Sequence, residues 1–265
     1  MNNTEANLKL LSIDTSGPTA SAALFDGERA AAAASVTGAK KHAEILMPMI
    51  ENLLDQSGFL LHNLDLIACT AGPGSFTGLR IGAAAAKGLA YALNIPLAAV
   101  PTLDAMAYNA VTCNAPGLHG RNACMTVIPM MDARRSQVYT ALYELDGGEV
   151  RRLTPDMAAG VKDVLAEAAK YGRAALFVGE GAALYRCEIL ESGLKCAVLP
   201  AYGQNIAVCA GLIGLKMAAE GALVSCADFA LSYLRKPQAE RERLERIERL
   251  DRIERIEKTE RISIP

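Results

Sequence analysis

Apolar and polar positions along the chain follow two alternating periods, and these lay out the elements. Residues 8–14, "LKLLSID", read as a buried strand. "TASAALFDG" (19–27) alternates small and apolar residues and closes on Asp26-Gly27, a turn dipeptide. "RAAAAASV" follows, so the three runs predict an antiparallel meander. In "KHAEILMPMIENLLDQSG" (41–58), Ile45, Leu46, Met49, Ile50, Leu53 and Leu54 fall at helical spacing. That predicts an amphipathic helix ending at Gly58 and re-aimed or kinked by Pro48. "DLIACTA" (65–71) is apolar on both faces, as a central strand is. A helix over 75–93 and a strand "PLAAV" (96–100) complete a βαβ unit, and a helix over 102–112 packs next.

After "NAPGLHGRN" (114–122) the pattern restarts. "ACMTVIPMMDA" and "SQVYTALYEL" read as strands, with a turn at Asp146-Gly147-Gly148. Helix 160–171, strand 174–180, helix 181–192, a short strand near 196–199 and helix 204–220 follow. Two similar β/α halves predict an α/β chain with a duplicated actin-like ATPase architecture (ASKHA, ribonuclease H-like) and an abbreviated second half. The predicted units are an N-terminal subdomain, 1–113, a C-terminal subdomain, 114–237, and a charged tail, 238–265. In the tail Leu244, Ile247, Leu250, Ile253 and Ile256 recur every third position, a stripe that drifts by roughly 60° per repeat on an α-helix. A marginal charged helix or a disordered extension is expected there, helped only by i,i+4 pairs such as Glu245–Arg249.

Composition narrows the function classes. No apolar run approaches the ~20 residues that span a membrane, and "MNNTEANLKLL" lacks the plan of a secretory signal. Seven cysteines, an odd number without a Cys-x-x-Cys, point to free thiols in a reducing cytoplasm rather than to disulfides or zinc. The net charge is -2 and tryptophan is absent. Without a basic face or aromatic stacking platforms, tight RNA binding by this chain alone is not expected.

The richest stretch is "AGPGSFTGLRIGAAAAKG" (71–88). It is not a phosphate loop, because Lys87 follows an alanine, no hydroxyl comes after it, and it lies too far into the helix to reach a phosphate at the start. Two readings remain. In one, Gly72-Pro73-Gly74 turns the chain, Ser75 or Thr77 caps the helix, and Gly74, Gly78, Gly82, Ala86 and Ala90 form a four-spaced bare ridge for close packing. In the other, free N–H groups at the helix start join Arg80 to hold an anion. Asp14, followed by Thr15-Ser16-Gly17, is either a phosphate-facing turn or a capped β-turn. His42 is solvent-facing by spacing, and with His62 and His119 it sets up no pair. Asp132 with Arg134 and Arg135 reads as an ion-paired turn, with no nucleophile beside it.

Six segments together resemble the TsaB family, bacterial partner proteins in making N6-threonylcarbamoyladenosine on tRNA. They are "LSIDTSGPTASAAL" (11–24), "KKHAEILMPMIENLL" (40–54), residues 68–107 around the glycine loop, "MDARRSQVY" (131–139), "VGEGAALY" (178–185) and "SYLRKPQAER" (232–241). The resemblance implies an actin-like fold and shared descent with TsaD, the catalytic subunit. TsaD-type proteins carry His-x-x-x-His after the strand that matches "PLAAV"; the register here puts Thr102 and Met106 at those positions, and a hydroxyl with a thioether does not replace two imidazoles on a metal. "VGEGAALY" lacks the paired glycines and the asparagine of a nucleotide-holding loop.

The resemblance therefore implies a non-catalytic scaffold with no catalytic residue, metal or cofactor of its own. ATP, with or without a metal ion, is expected on the partner subunits. It would pair with a TsaD-like threonylcarbamoyltransferase, alongside a TsaE-like ATPase, for modification at A37 of tRNAs, and meet tRNA only through the complex. The expected interface is Ile45, Met49 and Leu53 from one helix and Gly78, Gly82 and Ala86 from the other. Alone, the chain would self-pair through the same helices as an isologous dimer. Gly82→Leu is expected to abolish pairing and leave the monomer folded. Asp14, Thr15, Ser75 and Arg80 are expected as vestigial nucleotide or anion contacts. The rival readings are a metal-dependent glycoprotease-like peptidase and an independent actin-like ATPase.

Overall fold

The computed structural model of the chain describes residues 7–38, 41–112, 124–199 and 205–235. The predicted break at 113–122 lies outside the described residues, except that the helix before it reaches Thr112, and the tail 238–265 lies outside them altogether.

The meander forms as the alternation requires. β1 (Lys9–Asp14), β2 (Thr19–Asp26) and β3 (Arg29–Thr37) pair antiparallel, and β4 (Leu66–Gly72) and β5 (Leu97–Pro101) add parallel on the other side of β1. The sheet order is β3-β2-β1-β4-β5. Every residue of β4 is buried, in keeping with its two-sided apolar run. α1 (His42–Ser57) ends at Gly58 in the left-handed conformation, α2 (Phe76–Leu93) starts on the Ser75 cap, and α3 (Thr102–Thr112) follows β5 directly.

The second sheet repeats the order around β6 (Met125–Asp132), β7 (Gln137–Thr140), β10 (Met157–Gly160), β11 (Ala174–Val178) and β12 (Cys196–Val198) as β10-β7-β6-β11-β12. The same 3-2-1-4-5 order twice over is the duplicated architecture of the actin-like fold. The strand expected over 136–145 is in fact two, β7 and β8 (Tyr143–Asp146), with β9 (Glu149–Arg152) paired to β8. The chain leaves the ladder at Leu142, whose N–H donates to Thr154 Oγ1 (2.9 Å) and whose carbonyl accepts from Leu153 N–H (2.8 Å). β6 is therefore shared: Met125–Val127 pairs with β8 and Met130–Asp132 with β7. The abbreviation of this half lies in its helices. α4 (Val161–Ala169), α5 (Glu180–Leu184) and α6 (Arg186–Glu191) are shorter than α1 and α2, and the single helix expected over 181–192 breaks at Tyr185.

The predicted C-terminal unit does not keep to itself. α7 (Ile206–Ala219) packs on β1, β2 and β4 of the first sheet, and Val224 bridges to Leu97. Helices thus alternate with sheets in five layers. α1 and α2 cover the outer face of the first sheet, α3 and α7 fill the space between the sheets, and α4 to α6 cover the second. The middle layer is one continuous core that joins Leu10 and Phe25 to Leu103, Val127 and Leu176.

Candidate functional site

The loops after β1, β4, β6 and β11 meet in a cleft between the halves, the place where open α/β sheets hold ligands. It is a cavity of about 760 Å³, walled by Ser16–Pro18 and Pro73–Gly78 on one side and Met131–Arg134 with Glu180 on the other. Asp14, at the end of β1, is buried beside it and lines a separate, smaller cavity. Its Oδ1 accepts from Ser16 Oγ (2.6 Å), Ser16 N–H (3.1 Å) and Thr70 Oγ1 (2.7 Å). Burial pushes the Asp14 carboxyl up, and these donors pull it back. One oxygen of this carboxylate is thus taken up by Ser16 and Thr70, as in a capped turn.

The glycine loop serves packing. Thr15 Oγ1 donates to the Gly78 carbonyl (2.7 Å), and Ser75 N–H donates to the Ser16 carbonyl (2.7 Å). A Cβ on Gly78 would collide with the Thr15 carbonyl, and one on Gly82 with Thr15 Oγ1. Only glycine lets α2 lie this close to the loop after β1. Ser75 Oγ caps the helix by accepting from Gly78 N–H (3.3 Å).

The four expected anion contacts do not converge. Thr15 is spent on Gly78. The Arg80 guanidinium lies 3.8 Å from the Phe76 ring centre, and its Nε donates to Tyr233 Oη (3.2 Å). Asp14 and Ser75 reach different cavities. His42 is not solvent-facing: the first turn of α1 leans over the β1–β2 loop, and Nε2 is 2.9 Å from the Gly17 carbonyl.

The expected partner surface also needs correction. Gly78, Gly82 and Ala86 are buried on the inner face of α2, against β1 and β4. Met49 and Leu53 are core residues of α1, and Ile45 is half-buried against the same core. An amphipathic helix turns its strongest apolar stripe to its own protein. A second small-residue row faces out instead: Ala84 and Gly88 are exposed, with Ile81 and Ala85 beside them, and nothing lies within 4 Å of a Cβ built on Gly88. Met47 and Pro48 are exposed on α1, and Tyr91 is 79% exposed near the end of α2.

Thr102 and Met106 both lie in the core. Thr102 Oγ1 is buried without a protein hydrogen-bond partner, and Met106 Cε packs beside Gly179. A cavity of about 30 Å³, enough to hold a water molecule, remains between Asp14, Ser16, Met106, Met131 and Glu180. This donor set does not fit a metal. Among the described residues no group of three His, Cys, Asp or Glu side chains is placed to hold one.

Glu180 is the site residue that the spacing did not reveal. Burial raises its carboxyl to about 7, and the charges of Asp132 and Asp14 add to the rise. Its only signal in the sequence was a carboxylate directly after a strand and a glycine. Asp132 and Arg134 form the expected ion-paired turn (3.2 Å), and Arg134 N–H also donates to Asp132 Oδ1 (2.8 Å).

A family model described as "TsaD: tRNA N6-adenosine threonylcarbamoyltransferase" matches residues 36–247. The Bacillus subtilis protein named tRNA threonylcarbamoyladenosine biosynthesis protein TsaB is 34% identical over 179 residues, 68% of this chain and 74% of that one. The chain belongs to the TsaB branch of this family. An Escherichia coli TsaB is 34% identical over 139 residues, 52% of this chain and 56% of its own length. The solved structure of YeaZ from Pseudomonas aeruginosa superposes with a TM-score of 0.69 at 29% identity, covering 86% of this chain and all of that one. Among the described residues of this TsaB-family chain no helix is long and apolar enough to cross a membrane.

Proposed function

We propose that the chain is a non-catalytic subunit in N6-threonylcarbamoyladenosine formation at A37 of tRNAs, pairing with a TsaD-like transferase through the outward faces of α1 and α2. The observation that carries this reading is the pair Ala84 and Gly88, exposed one turn apart on α2 with half-buried Ile81 and Ala85 next to them. A bare row lets a partner helix approach at the short end of the usual 8–10 Å. The Thr102–Met106 pair supports the absence of metal chemistry here, which leaves the peptidase reading without a catalytic group. The actin-like ATPase reading has no support from Asp14 Oδ1, which is taken up by Ser16 and by Thr70 of β4. ATP belongs to the partner subunits, a TsaE-like ATPase among them, and tRNA meets the assembled complex. Without a partner the same faces self-pair.

Ala84→Arg tests the surface. It is expected to weaken co-purification with a TsaD-type subunit at least about tenfold, roughly 1.4 kcal/mol, while circular dichroism and the thermal midpoint stay unchanged. Undiminished pairing removes this face from consideration. Threonylcarbamoyl transfer by the chain alone, assayed on tRNA, would overturn the non-catalytic assignment.

A further inference from the structure

The two halves are fused at their base and joined again across the mouth of the cleft. At the base they share the middle-layer core, and Asp104 of the first half accepts from Tyr143 Oη (2.7 Å) and pairs with Arg152 of the second. With the base fixed in this way, a rotation of one half against the other would pivot at α3 and α7 and change the mouth most.

A strap, residues 229–235, runs along that mouth. Most of its ties are to the first half. Ser232 N–H donates to the Ala71 carbonyl (2.7 Å), Lys87 Nζ donates to the Phe229 carbonyl (3.2 Å), and the Tyr233 ring lies 5.0 Å from that of Phe76. Arg235 then crosses the gap. Its Nη1 donates to the Ala133 carbonyl (2.7 Å), and its guanidinium is 6.0 Å from the Tyr139 ring centre. Both acceptors belong to the β6–β7 hairpin of the second half. That hairpin turns through Arg134, Arg135 and Ser136 with φ of 63°, 54° and 57°. Three consecutive left-handed residues that are not glycine are strained and persist only where the surroundings hold them.

We propose that residues 229–235 are a latch that sets the width of the cleft, with Arg235 as the catch on the strained β6–β7 hairpin. Its release opens the mouth over Ser16 and Glu180 while the base stays closed. The latch does not depend on what binds α1 and α2.

Hydrogen exchange on the full chain tests this. In Arg235→Ala, amides of residues 132–138 and 74–78 are expected to exchange roughly five-fold faster, the factor for one ordinary net hydrogen bond. Amides of β1, β4 and β6 away from the mouth should keep their wild-type rates. Arg235→Lys, which retains a donor, should fall between the two and remains readable if the alanine variant does not fold. Tyr233→Phe, which removes only the Arg80 partner, should leave the hairpin amides unchanged. Wild-type exchange at 132–138 in Arg235→Ala overturns the latch. So does a uniform acceleration across all strands, which would make Arg235 a contributor to global stability alone.

Discussion

The inner and outer faces of α2 are built from the same small residues and have opposite consequences. On the inner face Gly78 and Gly82 touch the backbone and hydroxyl of Thr15, and a single carbon more would collide. On the outer face Gly88 has open space around it, and Ala84 is exposed. A row of small residues is therefore not one signal. Turned inward it closes the distance between a helix and its own sheet; turned outward it leaves room for another molecule.

Substitutions can separate the two faces. The largest effect is expected for Gly82→Leu, which forces a branched side chain against Thr15 and Ile13 and should cost about 3 kcal/mol or more, the upper end for overpacking. A thermal or urea melt reads it, and an unfolded monomer, rather than a folded one that fails to pair, is the expected result. Near-native stability would return Gly82 to the candidate partner surface.

Glu180 tests the cleft side next. Its folded carboxyl is raised to about 7 from an ordinary value of 4.5, so between those values the folded state holds a proton that the unfolded state has lost. Stability should therefore fall as pH rises from about 4.5 to 7, by up to about 3 kcal/mol. Glu180→Gln should flatten that slope in urea melts at pH 5 and pH 7.5. A slope that persists in the variant would assign the titration to another group. The smallest effect belongs to the outer face: Gly88→Ala should stabilise the monomer by about 0.5–1 kcal/mol, since helix propensity improves and nothing is struck. A loss instead would mean that Gly88 is not free on its outer side.

Much of this was legible in the chain. Strand and helix periods gave the meander, the βαβ unit and the capped start of α2, because each rests on neighbours in sequence. Sidedness was not legible. Ile45, Met49 and Leu53 form a stripe whether it meets its own sheet or a partner, and only the packed layers decide. The split of residues 136–145 escaped for a similar reason: Leu142 leaves the ladder to bond Thr154 and Leu153, a tertiary choice that alternation does not encode. His42 and the Arg80–Tyr233 contact, 153 positions apart, depend on chain crossings that no local pattern carries.

The return of α7 to the first sheet has a consequence for synthesis. Leu10, Phe25 and Ala68 acquire part of their apolar cover from a helix that begins only at Ile206. A nascent chain can thus assemble the meander early, yet one side of it waits wet and sticky until α7, some 180 residues after β2, has been made.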